Sequence, residues 1–234
     1  MAAQAGENVG HASMGELTSK QLVSETAGIP TLEGLIAESR MRALEMADLA
    51  RFDAYLKLIL HWNTRINLTA IRDTEGILRR HFLESIACAE ALPAGPKTLL
   101  DFGTGAGFPG VPIAICRPEI EVTLAESQNK KAAFLREVVS VLGLNTRIFG
   151  RRAETIAGNF DCVTMRAVDR MERAAAQAAS LLSSRGVLAL MTTRKEFPVL
   201  ERSLSGFHWK DTIPLPGSDQ SVLCLGTKEG VNRC

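Results

Sequence analysis

Apolar residues recur at helical spacing in the first half of the chain. Two sets each lie on one face of a helix, and Asp73 precedes the second as its N-cap. The sets are Leu49, Phe52, Leu56, Ile59 and Leu60, then Leu78, Phe82, Ile86 and Ala89. Pro93, Gly95 and Pro96 then interrupt the pattern. This predicts a helical appendage over residues 35–92, preceded by a mobile extension over residues 1–34, which lack sustained apolar periodicity.

After this boundary the pattern alternates between short apolar runs and helical spacing. Five runs predict buried strands, at residues 98–102, 120–125, 146–149, 160–165 and 187–191. Helical spacing between them ends at Gly143 and again before Gly186. Residues 207–213 and 221–226 predict a final hairpin. The alternation predicts a doubly wound α/β domain over residues 93–234, with a mostly parallel sheet and an antiparallel edge hairpin.

Composition narrows the class of protein without naming its partner. The chain has 234 residues, 46% hydrophobic and 23% charged, as ordinary globular proteins do. A formal net charge of +1 gives no global field that attracts a polyanion, so any nucleic acid must bind a local patch. The five cysteines are an odd set without a C-x-x-C pair, which is typical of reduced core thiols and predicts no metal site. Reduced thiols predict a cytoplasmic protein, and because no apolar run has the length of a membrane helix, we expect it neither to be secreted nor to span a membrane.

Glycines are concentrated directly after the first predicted strand, in the string D-F-G-T-G-A-G-F-P-G over residues 101–110. Such glycines permit tight turning and let a nucleoside lie against the main chain at Gly103 and Gly105. The spacing departs from the dinucleotide motif G-x-G-x-x-G, because Phe108 takes the sixth position. It departs from the phosphate-binding P-loop as well, because Val111 follows the last glycine. On this string alone, a cofactor loop and a plain tight turn are both open interpretations.

An acidic residue, Glu126, follows the second predicted strand. Its carboxylate is placed where an acidic side chain meets the ribose hydroxyls of a nucleoside bound at the first loop. Alone, Glu126 is better explained as a solvated loop charge or a stabiliser of a helix N-terminus. Together with the glycine loop it favours a nucleoside cofactor.

Basic residues occupy other strand ends, where ligands bind in open α/β sheets. The third strand is followed by G-R-R-A-E (residues 150–154), and the fourth ends in M-R-A (residues 165–167). Lys130 and Lys131 fall in the first turn of a predicted helix, where the helix dipole disfavours cations, and are either phosphate contacts or a solvated pair. We expect five basic side chains to surround one crevice: Lys130, Lys131, Arg151, Arg152 and Arg166.

Six strings occur in order along the chain. They are W-N-T-R-I-N-L-T-A-I-R-D (62–73), H-F-L-E-S (81–85), D-F-G-T-G-A-G-F-P-G-V-P (101–112), V-T-L-A-E-S-Q-N-K-K (122–131), R-R-A-E (151–154) and M-R-A (165–167). Together they resemble the RsmG family, also called GidB, bacterial methyltransferases that modify nitrogen 7 of a guanine in 16S ribosomal RNA. The resemblance implies a Rossmann-like methyltransferase sheet, with S-adenosyl-L-methionine as cofactor and S-adenosyl-L-homocysteine as product. It also implies cofactor binding by these residues: Gly103, Phe108, Ala153, Glu154 and Arg166.

The chain departs from this family pattern in two places. Glu84 and Glu126 stand where members often carry Asp. After the fifth strand, M-T-T-R-K-E (residues 191–196) replaces the usual lysine-glycine pair. His81 and the Asn-Leu-Thr segment at 67–69 match the family, and they suit either a packing role or an RNA contact.

Methyl transfer to nitrogen 7 of guanine requires no general base, because this atom carries an available lone pair, so we assign no catalytic residue. The resemblance implies 16S ribosomal RNA or the small ribosomal subunit as partner. From their places at a helix start and at a strand end, Lys130, Lys131, Arg151 and Arg152 are candidate RNA contacts, and we expect no membrane and no metal. We expect a monomer. Two alternatives are a methyltransferase for a small molecule and a catalytically silent module that binds a nucleoside or RNA.

Overall fold

In the computed structural model, residues 31–168 and 170–230 are described. Their strands are β1 (Thr98–Phe102), β2 (Glu121–Ala125), β3 (Thr146–Phe149), β4 (Phe160–Arg166), β5 (Leu182–Thr193), β6 (Phe207–Trp209), β7 (Ile213–Pro214) and β8 (Ser221–Lys228). They form one eight-stranded sheet in the order β3-β2-β1-β4-β5-β8-β6, with β7 paired to β8 as well. Strands β1 to β5 are parallel, whereas β8 is antiparallel to its neighbours. The predicted fold class is therefore confirmed.

The helices are α1 (Leu32–Glu38), α2 (Met46–Asn63), α3 (Thr74–Ile77), α4 (Glu84–Ala91), α5 (Gly110–Cys116), α6 (Asn129–Leu142), α7 (Met171–Ser180) and α8 (Phe197–Ser203). A π-helical turn, Leu78–Leu83, joins α3 to α4. Asp73 caps α3, because its Oδ1 accepts from Gly76 N at 2.6 Å. Gly143 ends α6 in the left-handed conformation, with a φ of +62°. Both local signals act as the sequence predicts.

The two faces of the sheet carry separate hydrophobic clusters, as alternate side chains along a buried strand require. In β1, Leu99 belongs to one cluster and Leu100 to the other. The first cluster joins Phe52 and Tyr55 of α2 to Phe134 of α6. The N-terminal helices thus share a core with the sheet, so the boundary expected at residue 93 separates elements in sequence but not in packing.

The structure also differs from the predicted boundaries. Helix α1 begins within the stretch 1–34 that we predict to be mobile, because Leu32, Leu35 and Ile36 are buried in the first cluster. The rest of that prediction, over residues 1–30, lies outside the described residues.

Two strands near the antiparallel edge depart from the pattern as well. Strand β5 starts five residues before its apolar run, in a part that includes the exposed residues Ser184 and Arg185. The strand expected over residues 207–213 is divided into β6 and β7, which both pair with β8.

Among the described residues, Cys88, Cys116, Cys162 and Cys224 are free, and burial raises the pKa of the Cys88 thiol to about 12.

None of the described helices combines the length and the apolar character needed to cross a membrane.

Candidate functional site

The glycine loop turns the chain sharply between the end of β1 and the start of α5. Gly103, Gly105 and Gly107 have φ values of +72°, +60° and +98°, which residues with a Cβ seldom adopt. Thr104 N donates to Ala125 O at 3.0 Å and thereby ties the loop to the end of β2. The backbone of the loop is therefore fixed against two adjacent strand ends.

Gly107 and Gly105 differ in whether a side chain would fit at their position. A Cβ on Gly107 would lie 2.6 Å from the Tyr55 hydroxyl and 2.7 Å from Val111 Cγ2, so α2 and α5 require a glycine there for packing. A Cβ on Gly105 would find only Gly103 O, at 4.0 Å. The space above Gly105 is thus open to a ligand, as a cofactor loop requires.

Asp101 anchors this loop from within the core. It is fully buried, and its Oδ2 accepts from Thr104 Oγ1 at 2.5 Å and from Gly110 N at 2.8 Å. Its Oδ1 accepts from Thr164 Oγ1 at 3.0 Å, which connects the loop to β4. Burial raises the pKa of Asp101 to about 6, although these donors favour the charged form. We did not single out Asp101 from the sequence, but an acidic residue inside an apolar strand run is a signal for such an anchor.

Residues that follow β1, β2 and β3 line a pocket of about 330 Å³, here called the cofactor cleft. Four of the predicted cofactor residues line it: Gly103, Glu126, Ala153 and Glu154. Glu126 is only 7% exposed, and its Oε1 accepts from Gln128 N at 2.7 Å, which orients the carboxylate. The carboxyl ends of three parallel strands therefore bring together residues that are distant in sequence.

Phe108, which we also predict to bind the cofactor, is absent from the lining of the cofactor cleft. Its side chain is buried, and the centroid of its ring lies 4.6 Å from that of the His81 ring and 5.5 Å from that of the Tyr55 ring. Gly105 is absent from the lining as well, although the space above it is open. The Phe108 side chain thus packs the helical layer onto the loop.

The predicted basic crevice is divided among three pockets, so our expectation of one crevice is wrong. Arg151 and Arg152 line the cofactor cleft, and Arg166 lines a pocket beside it. Lys130 and Lys131 instead line a pocket of about 530 Å³ next to α2, here called the Lys130 pocket. The reason is that the first turn of α6 faces the segment that follows α2, where Arg65 and Arg72 line the same pocket.

The pocket beside the cofactor cleft, of about 210 Å³, is here called the Arg166 pocket. Arg166 Nη2 donates to Glu84 Oε2 at 2.6 Å and also to the Arg80 carbonyl. Arg166 Nη1 is buried and has no hydrogen-bond partner within residues 31–168 and 170–230. Burial lowers the pKa of Arg166, and the Glu84 carboxylate opposes this shift. The structure thus directs Arg166 towards the helical layer, and Glu84 is a site residue that we did not predict.

The segment in which the chain departs from the family pattern also lines the Arg166 pocket. Thr192, Thr193 and Glu196 belong to this lining. Glu196 Oε2 accepts from Thr192 Oγ1 at 3.0 Å and from Thr193 Oγ1 at 3.1 Å. The carboxylate is therefore held in place at the wall of the pocket, and Glu196 is a second residue that sequence reasoning missed.

His81 lies in the helical layer, between Phe108 and the Asn-Leu-Thr segment. Its Nε2 is 2.7 Å from Thr69 Oγ1, and burial lowers its pKa to about 3, with Arg166 and Arg80 contributing. The ring is therefore neutral at physiological pH. These contacts favour the packing role for His81 over an RNA contact.

Two known proteins of similar sequence bear the same name. The "Ribosomal RNA small subunit methyltransferase G" of Roseiflexus sp. (strain RS-1) is 47% identical over 136 residues, which cover 55% of this chain and 57% of that protein. The protein of the same name from Stenotrophomonas maltophilia (strain R551-3) is 39% identical over 188 residues, covering 79% of this chain and 86% of that protein. The chain thus spans just over half of the first relative and most of the second.

Solved structures of low sequence identity share the fold. A methyltransferase from Pyrococcus furiosus superimposes with a TM-score of 0.57 at 17% identity, covering 77% of this chain and 97% of that one. P. horikoshii TYW2 in complex with MeSAdo gives a TM-score of 0.54 at 17% identity, covering 64% and 63%. These likenesses concern the fold alone.

The match to a protein family covers most of the N-terminal helices and all five parallel strands. Residues 48–205 match the GidB family, described as rRNA small subunit methyltransferase G. Because this match extends over more than half of the chain and agrees with relatives of up to 47% identity, the chain belongs to the GidB family of rRNA small subunit methyltransferases.

Proposed function

We propose that this protein transfers a methyl group from S-adenosyl-L-methionine to nitrogen 7 of a guanine in 16S ribosomal RNA. The observation that carries the proposal is the cofactor cleft, where Gly103, Glu126, Ala153 and Glu154 meet at the carboxyl ends of three parallel strands. Membership of the GidB family supports the same reaction.

The residues of the cofactor cleft fit S-adenosyl-L-methionine. The open space above Gly105 admits a ligand to the loop backbone, and Glu126 presents a buried carboxylate that is oriented by Gln128 N. Ribose hydroxyls donate to such a carboxylate, and these hydrogen bonds to a charged acceptor are worth about 1.5–3 kcal/mol each. Ala153 and Glu154 would then hold the remainder of the nucleoside on the other side of the cleft.

The chemistry asks the protein for position rather than for proton transfer. When bound, the cofactor supplies an electrophilic methyl group on a sulfonium. The guanine N7 lone pair is already available, so a general base adds nothing to the attack. Holding two reactants in line removes about 7–11 kcal/mol from a barrier at best. The rigid loop, fixed by Asp101 and by the hydrogen bond from Thr104 N to Ala125 O, is suited to this task.

Ribosomal RNA as the substrate agrees with the relatives, whose names give the small-subunit rRNA as their target. With a net charge of +1, the chain must hold RNA by local groups. Arg151 and Arg152 at the cofactor cleft, together with Lys130 and Lys131 in the pocket next to α2, are such groups.

The proposal is tested with purified protein, labelled S-adenosyl-L-methionine and small ribosomal subunits from a strain that lacks the gene. We expect one labelled 7-methylguanosine per 16S RNA after nuclease digestion and mass spectrometry. Glu126→Ala should abolish most of this transfer at limiting cofactor, while Glu201→Ala, at an exposed position of α8, serves as a charge-matched comparison for the loss of a carboxylate. Label in another nucleoside, or none in RNA, would overturn the proposal and favour a small-molecule substrate or a silent module.

A further inference from the structure

The Arg166 pocket adjoins the cofactor cleft directly. Val168 lines both, and Ala167, which lines the Arg166 pocket, has a φ of +47° that residues other than glycine seldom adopt. A substrate atom that receives the methyl group must lie next to the cofactor. The Arg166 pocket therefore lies where the atom that accepts the methyl group must be held.

The lining of this pocket contains polar groups with which a ligand can pair. Glu196 is held by two threonine hydroxyls, whereas Arg166 Nη1 is a buried donor with no partner within residues 31–168 and 170–230. A buried donor left unpaired is unfavourable, and a ligand acceptor or an ordered water relieves the cost. The lining thus offers both an acceptor and a donor.

We propose that the Arg166 pocket receives the target guanine, with Glu196 as the residue that determines specificity for this base. The proposal rests on the function proposed above and names the recognition chemistry of that substrate. The Glu196 carboxylate accepts from guanine N1–H and from the N2 amino group. This arrangement leaves N7 unpaired, as methyl transfer requires.

The same chemistry discriminates against the other bases. Guanine alone offers a carboxylate two adjacent donors, N1–H and the N2 amino group, whereas adenine has an acceptor at N1, cytosine has an acceptor at N3, and uracil has the single donor N3–H. Reading an extruded base on its Watson–Crick edge is a general strategy of enzymes that modify nucleobases. A carboxylate held at this edge therefore favours guanine.

A third pocket extends from the Arg166 pocket towards the surface and favours a polynucleotide over a free base. Thr193 and Glu196 line both, and the extension adds the exposed side chains of Arg170, Arg173 and Lys195, against one further acidic side chain, Glu172. Basic groups beside a base pocket suit the phosphates that flank a target nucleotide.

The test compares Glu196→Gln with Glu201→Gln, a matched change at an exposed glutamate of α8 outside the pocket. The substrates are small subunits reconstituted with 16S RNA that carries either guanosine or inosine at the methylated position. Inosine retains O6, N1–H and N7 but lacks the N2 amino group. Single-turnover transfer to each substrate gives the ratio of guanosine to inosine, and titration with S-adenosyl-L-homocysteine gives the cofactor affinity.

For the wild type and Glu201→Gln we expect about tenfold preference for guanosine over inosine. For Glu196→Gln we expect transfer to guanosine to fall about ten- to a hundredfold and the ratio to approach one, with cofactor affinity and melting temperature unchanged. An unchanged ratio in Glu196→Gln would overturn the guanine pocket while leaving the proposed function intact. A wild type that methylates neither RNA would overturn the proposed function itself.

Discussion

The cofactor cleft and the Arg166 pocket share Val168 near the carboxyl ends of the parallel strands, yet they are built from different parts of the chain. Most residues of the cleft lie at the carboxyl ends of β1, β2 and β3, where the order of the parallel strands brings them together, and Val168, Ala174 and Gln177 complete the lining. The pocket depends on side chains that meet across long separations, such as Glu84 of α4 and Arg166 of β4, which are 82 positions apart. The cleft is therefore a property of the topology, and the pocket is a property of packing between the helical layer and the sheet.

The largest expected effect breaks the anchor of the cleft. Asp101→Ala leaves Thr104 Oγ1 and Gly110 N without an acceptor in a buried environment, and an unsatisfied buried donor costs about 1–3 kcal/mol. We expect the free energy of unfolding to fall by at least about 3 kcal/mol, as measured by chemical denaturation. Asp161→Ala is the matched control, because Asp161 also accepts from three donors but lies nearer the surface, where water replaces it. Equal losses in the two variants would contradict the anchoring role.

The next effect concerns the helical layer beside the Arg166 pocket. The pKa of His81 is about 3 in the folded protein against an ordinary value near 6.5, so the unfolded state binds more protons below pH 6.5. Stability therefore falls as the pH falls from 6.5, by up to about 1.4 kcal/mol per pH unit from this group. The pKa of Asp101 is raised to about 6, so protonation of its carboxyl group stabilises the folded state as the pH falls below 6. This contribution is the same in the wild type and in a variant of His81.

We expect His81→Gln to remove about 2 kcal/mol of the pH-dependent loss between pH 6.5 and 5, although its stability at pH 7 is lower because the contact with Phe108 is lost. The measurement is denaturant unfolding at half-unit steps of pH. Parallel curves for wild type and variant would mean that His81 is not buried in its neutral form.

A smaller effect distinguishes Gly103, which lines the cofactor cleft, from Gly95, which also has a positive φ but lies elsewhere. Gly103→Ala places a Cβ at a φ of +72° and 3.2 Å from Val168 Cγ2, beside the expected cofactor. We expect the Kd for S-adenosyl-L-homocysteine to rise about tenfold in calorimetric titration, since a misplaced loop loses one charge-assisted hydrogen bond or its equivalent. Gly95→Ala, at a φ of +119° with no atom within 4 Å of its Cβ, should leave that Kd unchanged. A similar rise in both variants would assign the effect to backbone strain alone.

The smallest effect concerns the Lys130 pocket. If Lys130 and Lys131 contact phosphates, the double alanine variant reduces the slope of log affinity for single-stranded RNA against log salt by up to about 0.7 per lost contact. Cofactor affinity should not change, because this pocket is separate from the cofactor cleft. Lys57→Ala, on the exposed face of α2, is the control for a lost surface charge. A wild-type slope in the double variant would identify the two lysines as a solvated pair.

The sequence was sufficient for those features that depend on local rules. Alternating apolar runs predict the parallel sheet, Gly143 predicts the end of α6, and Glu126 predicts one wall of the cofactor cleft. Each is decided by a few neighbouring residues or by the fixed direction of parallel strands. The limits of β5 were not predictable in this way, because its first residues are held by pairing rather than by an apolar pattern.

The remaining site residues require the three-dimensional arrangement. No local rule places Glu84 against Arg166, or Arg65 and Arg72 opposite Lys130 and Lys131. Phe134 packs α6 against α2 in the first hydrophobic cluster, and this packing places the two lysines in a pocket with the segment that follows α2. Charge at the first turn of a helix is visible in sequence, whereas the pocket that it enters is not.

The central claim is that the cofactor cleft supports methylation of a 16S RNA guanine, and nucleoside mass spectrometry of 16S RNA tests it most directly. RNA is digested from a strain that lacks the gene and from the same strain complemented with wild type or with Glu126→Ala. We predict one 7-methylguanosine missing in the deletion strain, restored by the wild type and restored weakly or not at all by Glu126→Ala. An unchanged 7-methylguanosine content in the deletion strain, or full restoration by Glu126→Ala, would contradict the account.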